Sequence, residues 1–199
     1  SMDIKSGDKR YFDTEAAYPY KLNGYDDYFD MTTATAGVTT MFNANIEKYD
    51  LEKRGVLING QWIYADLMVS SIGMDELMGE CFGPLDYMGR DFITLILPIE
   101  HITPDPYYFL YYGGNEPYTR VVEYKKLTGY KAPTTLLGME FPSKANKLYP
   151  FPVKAKQEHA KRYRDALPKN ILSVGRMGNY NYRDVCDTIA EALTMAKDI

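Results

Sequence analysis

The chain has 199 residues, of which 23 are basic and 27 are acidic, for a formal net charge of −4 at neutral pH. This length suffices for a hydrophobic core, and a weakly negative chain without a long basic block argues against nucleic acid as a partner. No run approaches the roughly 18 apolar residues of a membrane span, and no signal peptide precedes Asp3. We therefore expect no membrane partner and a cytoplasmic location.

Few residues are available for redox or metal chemistry. Cys81 and Cys186 both fall on apolar stripes of predicted helices, which predicts buried free thiols rather than a disulfide. His101 and His159 are far apart and lack cysteine partners, so we expect no metal site. Tyrosine is abundant, with 19 residues. It suits either the half-buried face of a strand or a cleft for a sugar or nucleotide, and both can hold for one sheet.

The first third of the chain predicts short elements. An irregular segment from Tyr11 to Tyr25 leads into a short helix from about Gly24 to Met31. Val38 to Phe42 predicts a strand. The strongest local pattern is at residues 56–64, where two apolar runs flank an Asn-Gly pair and predict a tight β-hairpin. Its Trp62 is interpreted as a packing residue.

The middle of the chain changes from one short helix to a series of strands. Residues 67–69 predict a strand buried on both faces. A short amphipathic helix follows, with Met74, Leu77, Met78, Cys81 and Phe82 on one face. Strands are then predicted at Phe92 to Ile99, Tyr107 to Tyr112, Tyr118 to Tyr124 and Thr134 to Met139. Their short connections indicate an antiparallel sheet.

The last part of the chain predicts a helix, a strand and a second helix. The first helix covers residues 154–167, with Ala155, Ala160, Tyr163 and Leu167 facing inward. A strand at 171–174 then meets a glycine loop containing Gly175 and Gly178, and Asp184 caps the final helix. Such a loop either binds an anionic ligand or is only a tight turn. Together these elements predict an α+β fold with a largely antiparallel, twisted sheet and flanking helices.

Four stretches of the chain carry a family resemblance. They are Arg10 to Asp13 with Gly24-Tyr25, Pro117 to Lys125, Glu140 to Ser143 with Tyr149 to Pro152, and Gly175 to Asp184. As a set they resemble the motifs of UDP-galactopyranose mutases, flavoenzymes that interconvert the six- and five-membered ring forms of UDP-galactose. In that family the N5 atom of reduced FAD attacks the anomeric carbon, UDP leaves, and the sugar recloses with the other ring size.

The resemblance implies a domain organisation. Residues 1–35 would form the edge of a helical substrate region and residues 36–153 a sheet domain. Residues 154–199 would supply the last strand and helix of a Rossmann-like FAD-binding domain. The Gly-x-Gly-x-x-Gly unit that binds the flavin pyrophosphate does not occur in this sequence. We therefore expect a C-terminal part that is colourless and inactive alone, within an intact protein that binds reduced FAD and UDP-galactose; a homodimer is one assembly open to it.

The resemblance also implies roles for individual residues. Arg120, Tyr149 and Tyr182 would bind the diphosphate, Asp184 would lie near it, Tyr11 and Tyr18 would touch the sugar or uridine, and Gly175, Arg176 and Gly178 would face the flavin. A guanidinium can bind two phosphate oxygens at once, which favours Arg120. Spacing alone leaves open a sheet-surface arginine paired with Glu123 or Glu140, and ring packing for the two tyrosines.

Two departures from the family pattern leave the activity open. Met88 stands where the family has an arginine, and Cys186 stands where it has a carboxylate. A divergent member could use another nucleotide sugar, or its activity could have lapsed. The alternative functions are a flavin amine oxidase-like oxidoreductase and a non-catalytic nucleotide-sugar binding module.

Overall fold

The structure, a computed structural model, describes residues 18–19 and 21–199. In chain order the elements are α1 (Asp26–Thr33), β1 (Ile46–Asp50), β2 (Gly55–Ile58), β3 (Gln61–Tyr64), β4 (Met68–Ser70), α2 (Met74–Leu77), β5 (Tyr87–Leu97), β6 (Phe109–Tyr111), β7 (Arg120–Glu123), α3 (Lys125–Thr128), β8 (Thr135–Ser143), β9 (Tyr149–Pro150), α4 (Lys154–Ala166), β10 (Ile171–Ser173), α5 (Gly175–Gly178) and α6 (Val185–Met195). No helix in this part of the chain is long and apolar enough to cross a membrane.

The strands form three sheets. An antiparallel meander has the order β1-β2-β3, a two-stranded parallel sheet pairs β10 with β4, and a five-stranded sheet has the order β6-β7-β8-β5-β9. The predicted fold class, an antiparallel sheet with flanking helices, is therefore confirmed. The domain boundaries implied by the resemblance stay a prediction.

The predicted hairpin is present where the Asn-Gly pair places it. Asn59 and Gly60 both have positive φ, as a two-residue turn with the twist of its strands requires. The turn sets Ile58 opposite Gln61, and Leu57 opposite Trp62. Trp62 stacks on Tyr64 with ring centroids 5.8 Å apart, and both residues are exposed on the hairpin surface.

The described chain divides into two compact units. One comprises residues 18–19, 21–39, 94–110 and 121–138, and the other comprises residues 40–93, 111–120 and 139–199. We call them the Glu123 unit and the Arg120 unit, after one ionisable residue in each.

The Glu123 unit is built around a buried carboxylate. Glu123 is 0% exposed and accepts hydrogen bonds from the hydroxyls of Thr103 (2.5 Å) and Thr135 (2.6 Å) and from the Thr103 backbone N–H (2.9 Å). Burial alone would raise the pKa of Glu123. The hydrogen bonds outweigh burial and lower the pKa to about 2, because they favour the charged form.

The Arg120 unit contains the main hydrophobic core. Its buried members are Met74, Leu85, Tyr87, Ala160, Tyr163 and Tyr180. Tyr163 and Tyr180 are fully buried, and each hydroxyl donates to a backbone carbonyl, that of Gly83 at 2.6 Å and that of Asp86 at 2.5 Å. Tyrosine is tolerated here because its hydroxyl has a partner. Several of the 19 tyrosines therefore serve packing.

Some sequence predictions are wrong. Val38 to Phe42 is not a strand, because no neighbouring strand in the described chain supplies a hydrogen-bonding ladder. Both cysteines are free, as predicted, but they are exposed rather than buried. Val69 on β4 is 53% exposed and Ala155 on α4 is exposed, although both were predicted to face inward. Apolar periodicity gives the face of an element, whereas burial also requires a partner that covers it.

Candidate functional site

Two arginines share one buried carboxylate in the Arg120 unit. Glu140 on β8 has a side chain that is 3% exposed. Its Oε1 accepts from Arg120 Nε at 2.7 Å and lies 2.5 Å from Arg120 Nη2. Arg90 on β5 places Nε 3.4 Å from Glu140 Oε2. One negative charge thus faces two positive charges.

Arg120 remains charged in these surroundings. Its partial burial acts to lower the pKa of the guanidinium, but hydrogen bonds to Glu140 and Tyr111 outweigh this and raise the pKa above its usual value. Its guanidinium carbon also lies 5.8 Å from the centre of the Tyr111 ring. Of the two pairings that spacing left open, the structure has Glu140. This pairing orients Arg120, and it does not remove the positive charge from the site.

A cluster of rings and guanidinium groups is the second component of the site. Tyr149 and Tyr182 stack with centroids 5.6 Å apart and planes at 22°. The Arg176 guanidinium lies 4.8 Å from the Tyr149 centroid and 5.0 Å from that of Tyr182, and Arg90 lies 5.2 Å from Tyr149. Such cation–π contacts are worth about 0.5–2 kcal/mol each. They hold the guanidinium groups beside the two phenol rings.

Strand pairing explains why Arg90 reaches Tyr149. β5 and β9 are antiparallel, with Met88 opposite Tyr149. Side chains two residues apart on a strand share a face, so Met88 and Arg90 face the same side. The side chain of Asn146 fixes this end of the strand, since it accepts from the Arg90 N–H and donates to the Arg90 carbonyl, both at 2.9 Å.

The predicted glycine loop is a single helical turn, α5, organised by Glu191 of α6. Gly175 has φ +76°, a conformation that glycine adopts without strain. Its N–H donates to Glu191 Oε2 at 3.0 Å. The other oxygen, Oε1, accepts from the Asn179 amide at 2.7 Å and from Arg183 Nη1 at 3.0 Å. The Gly175 N–H is therefore already hydrogen-bonded to a carboxylate of the chain itself.

Gly178 is required for close packing. A Cβ there would lie 2.9 Å from Ser173 Oγ and 3.0 Å from the Ser70 carbonyl oxygen, which belongs to the β4–β10 pair. Arg176, between the two glycines, donates to the Arg183 carbonyl from Nε (3.0 Å) and Nη2 (2.7 Å). These bonds aim its guanidinium at Tyr149 and Tyr182.

The remaining predicted site residues are Asp184, Tyr18 and Tyr11. Asp184 precedes α6 as predicted, but its side chain makes no capping hydrogen bond. Its backbone carbonyl instead accepts from Thr188. Tyr18 belongs to the Glu123 unit, where it packs edge-to-face on Tyr108 and Phe109. Tyr11 lies outside the described residues.

The structure adds Arg90, Glu140 and Glu191 to the residues predicted from the sequence. A signal for Arg90 was present, since it lies two positions after Met88 in a segment with strand composition. Glu140 had been considered only as an alternative partner of Arg120. Glu191 gave no signal, because its role depends on the packing of α5 against α6.

Two cavities lie in the Arg120 unit. One of about 410 Å³ is lined by Leu85, Asp86, Tyr87, Lys144, Asn146, Lys147, Phe151 and Lys156, none of which is a predicted site residue. A shallow depression of about 620 Å³ is lined by Tyr182 together with Asn181, Arg183, Asp187, Ala190, Glu191, Thr194 and Met195. Within the described ranges, no three His, Cys, Asp or Glu side chains could together hold a metal ion.

The chemistry of the site as a whole suits a ligand with several negative charges. Arg90, Arg120 and Arg176 contribute three positive charges, whereas Glu140 contributes one negative charge. Guanidinium groups bind phosphate oxygens with charge-assisted hydrogen bonds. The two phenols add hydroxyl donors and ring surface.

Two comparisons with known proteins give a match. The family model described as UDP-galactopyranose mutase matches residues 3–182. Among solved structures, one described as reduced UDP-galactopyranose mutase matches with a TM-score of 0.64 and 16% identity, over 83% of this chain and 48% of that one. At this identity the likeness concerns the fold, and the chain spans about half the length of that structure. No match was found among curated proteins.

Proposed function

The chain belongs to the UDP-galactopyranose mutase family, and from that premise we propose that the intact protein interconverts UDP-galactopyranose and UDP-galactofuranose. Because the chain covers only 48% of the matched structure, we assign to it part of the machinery. We assign to it the binding of the substrate diphosphate by Arg120, Tyr149 and Tyr182.

The observation that carries the proposal is a chain of contacts: Arg120 is paired with Glu140, Arg90 approaches the same carboxylate, and Arg90 lies over Tyr149, which stacks on Tyr182. The reaction requires the bond between the sugar and the diphosphate to break, which leaves extra negative charge on the diphosphate. Cations held in place before the reaction stabilise that charge more strongly than the charge of the ground state, and so lower the barrier.

FAD is the cofactor that the family uses. Reduced FAD, when bound, supplies the nucleophile for the anomeric carbon of the sugar. Arg176 fits this cofactor, since a guanidinium suits the polar edge of a reduced flavin, and its bonds to the Arg183 carbonyl fix its direction. The Gly175 amide does not fit, because Glu191 already accepts its hydrogen bond. Gly178 allows α5, which carries Arg176, to pack closely on the β4–β10 pair.

The test is turnover of UDP-galactopyranose by the intact protein under reducing conditions, with the products separated by chromatography. We expect UDP-galactofuranose to form, and Arg120→Ala to lower kcat/KM by about 100-fold, as the loss of charge-assisted hydrogen bonds worth about 3 kcal/mol implies. Arg162→Ala is the control. Arg162 is on α4, where it lies over the ring of Phe82, and it does not belong to the cluster. Full activity of Arg120→Ala would refute the site assignment.

A non-catalytic nucleotide-sugar binding module is the second candidate, and the replacement of a family arginine by Met88 favours it. Such a module would bind UDP-galactose through the same cluster and release it unchanged. A flavin amine oxidase-like oxidoreductase has less support, because its reaction does not require arginines and tyrosines to converge on a diphosphate. Binding without isomerisation by the reduced intact protein would identify the module.

A further inference from the structure

Arg90 occupies a position in the cluster that no sequence motif assigned to it. Its guanidinium lies 5.2 Å from the Tyr149 centroid, and Nη1 donates to Thr119 Oγ1 at 2.7 Å. The side chain is 26% exposed, so it is held in place and still accessible to a ligand. The side chain of Asn146 hydrogen-bonds both the backbone N–H and the backbone carbonyl of Arg90.

A purely structural role leaves this arginine incompletely paired. Glu140, the carboxylate nearest to it, already receives both the 2.7 Å and the 2.5 Å contact from Arg120. Arg90 Nε and Glu140 Oε2 are buried 3.4 Å apart and make no hydrogen bond. Nη2 of Arg90 makes no hydrogen bond with any residue that the structure describes. A buried donor and a buried acceptor this close normally form a hydrogen bond.

The strand face adds a reason for a functional role. Met88 and Arg90 lie on the same face of β5, and Met88 is directly opposite Tyr149. The Arg90 guanidinium thus reaches Tyr149, the residue that Met88 faces across the strand pair. The positive charge that Met88 lacks is present on the same face, two residues further along.

We infer that Arg90 is an additional substrate-binding residue, which contacts the diphosphate of the nucleotide sugar together with Arg120 and Tyr149. This inference rests on the proposed function for the identity of the ligand. Arg90 binds the anion through the guanidinium edge that Glu140 leaves unpaired, and an anion there offsets the excess of two guanidinium groups over one carboxylate.

The experiment measures binding of UDP and of uridine to the intact protein by calorimetry, for wild type, Arg90→Gln and Arg162→Gln. Glutamine places an amide near the position of Arg90 Nε and removes the charge and the fork of the guanidinium. We expect Arg90→Gln to weaken UDP binding by about tenfold or more and to leave uridine binding unchanged, because uridine carries no phosphate. Arg162→Gln should bind both compounds like the wild type.

A second variant addresses the case in which Arg90→Gln is poorly folded. Met88→Arg in the Arg90→Gln background returns a guanidinium to the same strand face, and we expect it to recover most of the lost UDP affinity. The inference is overturned if Arg90→Gln binds UDP like the wild type, if it loses UDP and uridine binding equally, or if the wild type binds no UDP. If UDP binding depends on Arg90 but no isomer forms, the inference holds and the proposed isomerase fails.

Discussion

At the scale of single residues, two buried carboxylates differ in what surrounds them. The closest donors to Glu123 are hydroxyl and amide groups, whereas two guanidinium groups share Glu140. A phosphate can compete with Glu140 for guanidinium donors, whereas the groups that hydrogen-bond Glu123 are neutral and the Lys126 ammonium is 3.9 Å away. We therefore interpret Glu123 as a structural residue and Glu140 as part of the binding site.

The pKa of Glu123 leads to a prediction about stability. Its folded-state pKa of about 2 lies below the ordinary value of 4.5, so the charged carboxylate stabilises the fold above about pH 4.5. That contribution, about 3 kcal/mol, disappears as the pH falls from 4.5 towards 2. We expect Glu123→Gln to lower the free energy of unfolding at pH 7 and to flatten its acid dependence, as measured by urea unfolding at several pH values.

Thr135→Val is the matched variant for that measurement. It removes one of the two hydroxyl donors to Glu123 and keeps the shape of the side chain. Its loss of stability at pH 7 should be smaller than that of Glu123→Gln, since the Thr103 hydroxyl and N–H remain. An acid profile of Glu123→Gln identical to that of the wild type would contradict the role given to this carboxylate.

At the scale of elements, the sequence predicted local structure better than the faces that become buried. The Asn-Gly hairpin and the run of antiparallel strands follow from turn chemistry and period-two alternation, and both are present. The strand at Val38 to Phe42 failed because β-propensity cannot supply a neighbouring strand. Arg90 was missed because only the pairing of β5 with β9 brings its side chain to Tyr149.

The contact of α5 with the β4–β10 pair depends on Gly178. A Cβ at Gly178 would approach the Ser70 carbonyl oxygen. This oxygen also accepts a hydrogen bond from the Val174 N–H at 2.9 Å, which holds it against an added methyl group. We expect Gly178→Ala to destabilise the protein by about 1–3 kcal/mol, as overpacking does. Gly113→Ala is the control, because a Cβ at Gly113 has no atom within 4 Å. Thermal unfolding of the two variants checks this, and equal melting temperatures would contradict it.

At the scale of the whole molecule, the binding of FAD leads to a prediction. It spans about half of the matched solved structure and carries no Gly-x-Gly-x-x-Gly motif. We expect the purified 199-residue polypeptide to show no visible flavin absorption, since the pyrophosphate of FAD has no binding loop in it. A stoichiometric flavin band that co-purifies with this polypeptide would show that the other residues hold FAD without that loop.

The central claim is that Arg120 and Arg90, together with Tyr149 and Tyr182, bind a diphosphate, and a crystal structure of the intact protein with UDP tests it most directly. We predict that the guanidinium groups of Arg120 and Arg90 and at least one of the two phenol hydroxyls lie within hydrogen-bonding distance of the phosphate oxygens. A diphosphate bound elsewhere, for example in the lysine-lined cavity of about 410 Å³ beside Lys144 and Lys147, would contradict the account.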